Sequence, residues 1–180
     1  RTNPRENRFA GMGYIPQDRN AVGSSPSSNL TENTIMGVHL KEFRKNGIFL
    51  DYNAAEQYTE EIMEKYRVKI QSIEDTASSL SGGNLQKLIV GREFSQGNRV
   101  LIIEDPTRGI DIGAIEFIWS EIIRQVEEEK VSVLLVSYDL NEAMTLSDRI
   151  LVMYNGEVKK ELKRSQYNEN EIGLHMLGGN

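Results

Sequence analysis

Cysteine is absent from the 180 residues, histidine occurs twice, proline four times and tryptophan once. Without cysteine there is no disulfide scaffold, no thiolate metal site and no cysteine nucleophile, and the absence points to the cytosol. His39 and His175 stand far apart, lack metal-ligand spacing and read as surface groups. No apolar run approaches the roughly 18 residues that span a bilayer, and there is no signal-peptide pattern. Positive charge is also short. The chain has 21 Lys plus Arg against 27 Asp plus Glu, a net charge of −6 and a pI near 5.1. A binder of the phosphate backbone wants a basic face, so nucleic acid is not an expected partner. The first residue is Arg1 rather than Met, which we read as the sign of a piece of something longer.

What is present is an ordinary soluble composition, 38% apolar and 27% charged. The length suits one domain, or one with a small subdomain. Residues 1–12 are polar and read as loosely held, followed by a short extended piece at Gly13–Pro16. The stretch NAVGSSPSSNLTEN is rich in Ser, Asn and Gly and reads as loop. From Leu30 to Gln96 the chain reads as helical and charged. Asn53 and Glu56 have capping-box spacing there, and Tyr58, Ile62, Met63 and Tyr66 recur on one helix face. A further helix is expected to start at Ser81 and bury Leu85, Leu88 and Ile89.

The character changes at Arg99. Val100–Ile103 is a continuous apolar run, expected as a strand buried on both faces. A helix follows from Ile112, with Ile115, Ile118, Trp119, Ile122, Ile123 and Val126 on its apolar stripe; Trp119 is read as core. Val133–Val136 is a second expected buried strand. Asp139 and Glu142 open the next helix as a capping pair. Ile150–Tyr154 is a third strand, turned by Asn155-Gly156 into a hairpin with Val158–Leu162. The alternation of strand and helix predicts a parallel α/β sheet.

Two strings carry chemistry. LSGGNLQK places Ser81, Gly82 and Gly83 before an apolar helix. A helix N-terminus carries about half a positive charge and free N–H groups, so it attracts anions. The same string also reads simply as a Ser N-cap after a flexible loop. VLIIEDPTRGID delivers Glu104 and Asp105 at the end of a buried strand, where open α/β sheets place their sites. One acid can hold Mg²⁺ and the other can polarise a water, or both can be a polar strand end facing solvent.

In this order the two strings resemble the ABC transporter ATPase family. LSGGN resembles the signature and IIEDPT the Walker B segment. Gln17 in GYIPQDR sits where the family has its Q-loop glutamine, Asp111 in GID at the D-loop aspartate, and Tyr138 in LLVSYDL where most members carry the switch histidine. SDRILVMYNGEV is similar to the strand and hairpin that follow. PTRG together with LSGGNLQK is similar to the sugar-importer branch, and GAIEFI narrows this toward second cassettes of nucleoside or simple-sugar importers. No GxxxxGK[ST] phosphate loop occurs in the chain.

The resemblance implies a partial P-loop NTPase (RecA-like) α/β sheet with an inserted helical subdomain, lacking the P-loop strand. It implies a Q-loop segment at 1–26, a helical subdomain at 27–98 and the C-terminal part of the ATPase core at 99–180. It also implies ATP and Mg²⁺ as cofactors. Two cassettes would pair head to tail, with Ser81, Gly82, Gly83 and Asn84 reaching the γ-phosphate held by the partner. Gln17 and Glu104 would hold the metal, Asp105 would act on water, and Asp111 and Tyr138 would complete the site. Residues 18–50 would line the groove that accepts a transporter helix, or form only a surface loop. The implied partners are a second cassette, transmembrane permease subunits and, indirectly, an extracytoplasmic solute-binding protein. The implied place is the cytoplasmic face of the membrane. An ABC-type ATPase of DNA maintenance or translation is the alternative, disfavoured by the acidic charge.

Two positions depart from the family pattern. Walker B usually ends in Asp then Glu, whereas here Glu104 precedes Asp105. Tyr138 replaces a histidine, and a phenol with a pKa near ~10 lacks imidazole's near-neutral chemistry. Tyr138 also reads as a packing residue. Lys87 and Arg92 lie on the signature helix and read as exposed helix charges.

Overall fold

The computed structural model describes residues 3–46 and 49–179. It divides into two compact units, one up to Leu134 and one from Leu135 onward.

The first unit opens on α1 (Pro4–Phe9), where a helix replaces the loose segment expected at residues 1–12. Asn3 and Glu6 form a reciprocal capping box with Pro at the first turn. Arg8 then anchors the helix through an ion pair to buried Glu93 at 2.9 Å. Strand β1 (Met12–Ile15) buries Gly13 and Ile15 on one face. Gly13 is required there, because a Cβ would lie 2.4 Å from Asn98 Nδ2 and 2.5 Å from Leu101 Cδ2.

The region expected to be helical from Leu30 to Gln96 is interrupted. Helices α2 (Leu30–Thr34) and α3 (His39–Glu42) lead into a two-stranded antiparallel ribbon, β2 (Arg44–Lys45) and β3 (Phe49–Leu50). Helix α4 (Tyr52–Lys65) starts earlier than the Asn53 and Glu56 spacing indicates: its N-cap is Asp51, which accepts the Ala54 N–H at 3.3 Å. The expected face is present. Ile62, Met63 and Tyr66 are buried, and Tyr58 packs its ring against Phe43 with centroids 5.3 Å apart. Burial pushes the Tyr58 phenol up to about 12.

Helix α5 (Gly82–Phe94) begins at the Ser81 cap, as expected, and buries Leu85, Leu88 and Ile89. It packs against β1, α2 and α4. Gly91 allows the last of these approaches, since a Cβ there would lie 2.7 Å from the Tyr66 ring. Arg92, expected on the surface, is buried instead, for it faces the loop and α2 rather than water.

Strand β4 (Val100–Glu104) pairs in parallel with β1, Tyr14 opposite Ile102 and Ile15 opposite Ile103. Its burial alternates: Leu101 and Ile103 are inaccessible while Val100 is exposed, so one face is core rather than both. Helix α6 (Ile112–Glu127) buries Ile118 and Ile122 and packs on α5, with Trp119 only half-buried. Strand β5 (Ser132–Val136) completes a three-stranded sheet in the order β1-β4-β5. Leu134 and Val136 are exposed, contrary to the expectation of a buried strand: they share one face of β5, and that face is left open among the described residues.

In the second unit, α7 (Leu140–Leu146) is capped by Asp139, which accepts the N–H of Asn141 and of Glu142. Strands β6 (Arg149–Tyr154) and β7 (Glu157–Lys163) form the expected hairpin, with Asn155 and Gly156 both at positive φ (49° and 79°), as a two-residue turn of this hand requires. The third strand of the β-α-β-α-β reading therefore lies in an antiparallel hairpin, not in the β1-β4-β5 sheet. Val152 and Leu162 pack with Ile172 of α8 (Glu169–Met176). His175 is largely covered rather than a free surface group, with Nδ1 3.0 Å from the Gly179 carbonyl.

Candidate functional site

The parallel pairing of β1 with β4 brings two distant strings to one sheet end. Tyr14 is aligned with Ile102, so Tyr14 and Glu104 share a face by the two-residue period of a strand. The Tyr14 hydroxyl donates to Glu104 Oε2 at 2.8 Å. Burial, the hydrogen bond and the carboxylate charge all raise the Tyr14 pKa, in that order of size. Just beyond the strands, Gln17 Nε2 donates to Asp105 Oδ2 at 2.7 Å. Asp105 has φ 41°, a left-handed conformation that Asp tolerates better than most residues and that turns the carboxylate off the strand axis.

Arg19 secures the loop that follows. Its guanidinium donates to the carbonyls of Arg108 at 2.8 Å and Gly109 at 3.3 Å. Gly109 has φ 65°, so the loop needs a residue without a Cβ penalty. The same guanidinium reaches the start of α5: a Cβ at Gly82 would stand 3.5 Å from Arg19 Nη2.

The starts of α5 and α6 also meet. Asp111 caps α6, Oδ1 accepting the Ala114 N–H at 2.9 Å. Its other oxygen would lie 2.8 Å from a Cβ on Gly83, so the second signature glycine is needed for this approach. Ser81 caps α5, its Oγ accepting the Asn84 N–H at 3.4 Å. Asn84 faces inward, with its carbonyl oxygen accepting the Lys69 N–H at 3.0 Å.

Gln17 with Asp105 and Tyr14 with Glu104 thus form two bonded pairs at one sheet end, and Ser81, Gly82, Gly83, Asn84 and Asp111 form a further group, with Arg19 against both strings. Tyr138 lies in the second unit and is 76% exposed. Tyr14 and Arg19 escaped the sequence reading. Only the register of β1 on β4 pairs Tyr14 with Glu104, and only the loop geometry gives Arg19 its two carbonyls.

Among the described residues no group of three His, Cys, Asp or Glu is arranged to hold a metal. Glu104, Asp105 and Gln17 offer hard oxygens, the donor type Mg²⁺ takes. A Mg²⁺ ion there would be held by one or two carboxylates and completed by phosphate oxygens and water, which is the usual mode for this ion. The residues present fit that incomplete set. No helix among the described residues is long and apolar enough to cross a membrane.

Comparisons with known proteins find relatives along nearly the whole chain. The nucleoside import ATP-binding protein NupA of Lactococcus lactis subsp. cremoris is 36% identical over 177 residues, 98% of this chain and 35% of the relative. The glucose import ATP-binding protein TsgD13 of Haloferax volcanii is 42% identical over 175 residues, 94% of this chain and 31% of the relative. The ribose import ATP-binding protein RbsA 1 of Rubrobacter xylanophilus is 33% identical over 176 residues, 97% of this chain and 35% of the relative. The chain therefore spans 31–35% of the length of these curated relatives. Among solved structures, the dimeric bacterial ABC transporter cassette MJ0796 superposes with a TM-score of 0.74 at 21% identity, covering 91% of this chain and 68% of that one. The same cassette bound to ADP and Pi gives a TM-score of 0.73. No protein-family model matches the chain. The fold is that of an ABC transporter cassette, and the relatives are import ATP-binding proteins, the class that the motifs resemble.

Proposed function

We propose that this chain is the C-terminal part of an ATP-binding cassette that energises import of a sugar or a nucleoside. The observation that carries the reading is the hydrogen bond from Gln17 to Asp105 at 2.7 Å. It joins the Q-loop-like and Walker B-like strings, which lie far apart in sequence, at the strand ends where open α/β sheets hold ligands. The names of the relatives, importers of nucleosides, glucose and ribose, support the transport class.

In this reading Glu104 and Gln17 hold Mg²⁺, which when bound neutralises phosphate charge. Asp105, oriented by the Gln17 amide, accepts a hydrogen bond from the attacking water. Ser81, Gly82 and Gly83 present a helix start to the γ-phosphate held by a partner cassette, with Asn84 in the same string. Asp111 holds the start of α6 beside them, and Tyr138 donates to phosphate in place of an imidazole. The segments 1–26, 27–98 and 99–180 serve as Q-loop segment, helical subdomain and core. The partners are a second cassette, permease subunits at the cytoplasmic face of the membrane and, through them, a solute-binding protein.

The test is Ser81→Arg in the full-length protein assembled with its partners. A long side chain would block the helix start facing the other cassette's nucleotide. Turnover at that shared site should be lost while binding of nucleotide to a single cassette is nearly unchanged. Full retention of ATPase activity would overturn the proposal. Capture of permease subunits, against DNA binding at low salt, checks the transport class.

A further inference from the structure

The Asn84 side chain has both ends tied inside the chain. Its Oδ1 accepts the Lys69 N–H at 3.0 Å, and its Nδ2 donates to Ser81 Oγ at 3.1 Å. A backbone N–H only donates, so Lys69 fixes which end of the amide is oxygen and turns the NH₂ toward Ser81. Ser81 Oγ also accepts the Asn84 backbone N–H at 3.4 Å. A hydroxyl has two acceptor lone pairs and one proton. Both lone pairs of Ser81 are engaged, so its proton points away from them, and it donates to no other described residue.

The Lys69 end of this chain is itself held. The Val68 N–H bonds the Met63 carbonyl at 2.9 Å, Arg67 turns the backbone at φ 52°, and Val68 and Tyr66 are buried. The amide of Asn84 therefore leans on a fixed backbone donor at the end of α4, while Ser81 is exposed at the start of α5.

We propose that Asn84 is a positioning residue that acts through Ser81: the relay from the Lys69 N–H through the Asn84 amide sets the Ser81 hydroxyl as an outward-pointing donor to phosphate. This rests on the reading of Ser81 as a phosphate contact, and it takes Asn84 out of direct contact with the nucleotide. Residue 84 must both accept from Lys69 and donate to Ser81, which an amide does and a carboxylate does not. With Asp at 84, the Ser81 proton is drawn inward to a carboxylate oxygen and the outward donor is lost.

The experiment is a double-mutant cycle on the ATPase of the full-length, assembled protein, with Ser81→Ala, Asn84→Ala, the double variant and Asn84→Asp. Asn84→Ala should lower kcat by about tenfold, the worth of one well-placed hydrogen bond, with little change in KM for Mg-ATP. Asn84→Asp should lose at least as much. The double variant should be no worse than Ser81→Ala alone, because Asn84 has nothing to position once the hydroxyl is gone. Losses that multiply in the double variant would show that Asn84 acts independently of Ser81 and would overturn the proposal. A second measurement is amide hydrogen exchange at Lys69, which should quicken in Asn84→Ala and stay slow in Ser81→Ala. Unchanged protection in Asn84→Ala also overturns it. If Ser81→Ala itself leaves turnover intact, the reading of Ser81 as a phosphate contact is what fails, and the relay falls with it.

Discussion

Asp105 carries one of the two departures from the family pattern. It follows Glu104, the reverse of the Asp-Glu order in the family pattern that the motifs resemble, so in the proposed function the carboxylate offered to water is one methylene shorter. A misplacement near 1 Å can cost about a hundredfold in rate. Its φ of 41° and its bond from Gln17 hold it in one orientation. Asn at this position keeps both features, since it tolerates the left-handed region and its carbonyl still accepts from Gln17. Asp105→Asn is therefore a clean removal of charge. Tyr138, in the place where the family pattern has its switch histidine, is a second departure in the sequence. We expect this cassette's own site to be the weak one of an asymmetric pair. Asp105→Asn should reduce steady-state ATPase activity only modestly, while removal of the equivalent acid in the partner cassette should nearly abolish it. Loss of all turnover in Asp105→Asn would mean that the Glu-Asp order is a working variant.

Helix α5 does more than present Ser81. Its other end carries a buried ionic network. Arg92 Nε donates to Glu93 Oε1 at 3.0 Å, Nη1 to the Asn33 carbonyl at 3.1 Å and Nη2 to the Gly23 carbonyl at 3.0 Å. Glu93 in turn accepts from Arg8 of α1 at 2.9 Å and from the Tyr14 N–H of β1 at 3.3 Å. Burial lowers the Arg92 pKa, and the Glu93 charge and hydrogen bond oppose that shift. One guanidinium thus ties the segment after Gln17 and helix α2 to the signature helix. Arg92→Met should destabilise the protein by about 3–5 kcal/mol, the cost of breaking a buried pair from one side. Arg92→Lys should recover only part, because a single ammonium cannot span the three directions of the fork. The check is the urea midpoint of each variant, and a shift within error for Arg92→Met would mean that Arg8 alone satisfies Glu93.

At the scale of the whole molecule, the sheet has three strands in the order β1-β4-β5, and one open face of β5 leaves Leu134 and Val136 exposed. The sequence contains no glycine-rich loop ending in GK[ST] that would cradle a triphosphate. What it offers to an anion is the start of α5, and one helix end falls short of a nest of amides with a Lys. Titration calorimetry of this chain alone with Mg-ATP is expected to give no binding tighter than millimolar. Micromolar binding to the monomer would show that the described residues already hold the nucleotide and would remove the need for a partner cassette.

Much of this was legible in the sequence because it depends on neighbours along the chain. The Ser81 and Asp139 caps, the Asn155-Gly156 hairpin and the apolar face of α4 are local: each follows from a side chain that reaches a backbone group a few residues away, or from a fixed period. The motif strings were legible for the same reason. Local spacing did not find the cap of α4, where Asp51 competes with Asn53 and wins by its position before the first turn. It did not find α1, which is held by Arg8 reaching Glu93 across the fold. Strand burial was read from apolar runs, but burial depends on what lies over each face, so Val100, Leu134 and Val136 came out exposed. Tyr14 on Glu104, Arg19 on the 108–109 carbonyls, Arg92 in the interior and the turn of the Asn84 amide were decided only by tertiary structure. In each of these the partner is distant in sequence, and no period or spacing along the chain encodes which side chain meets it.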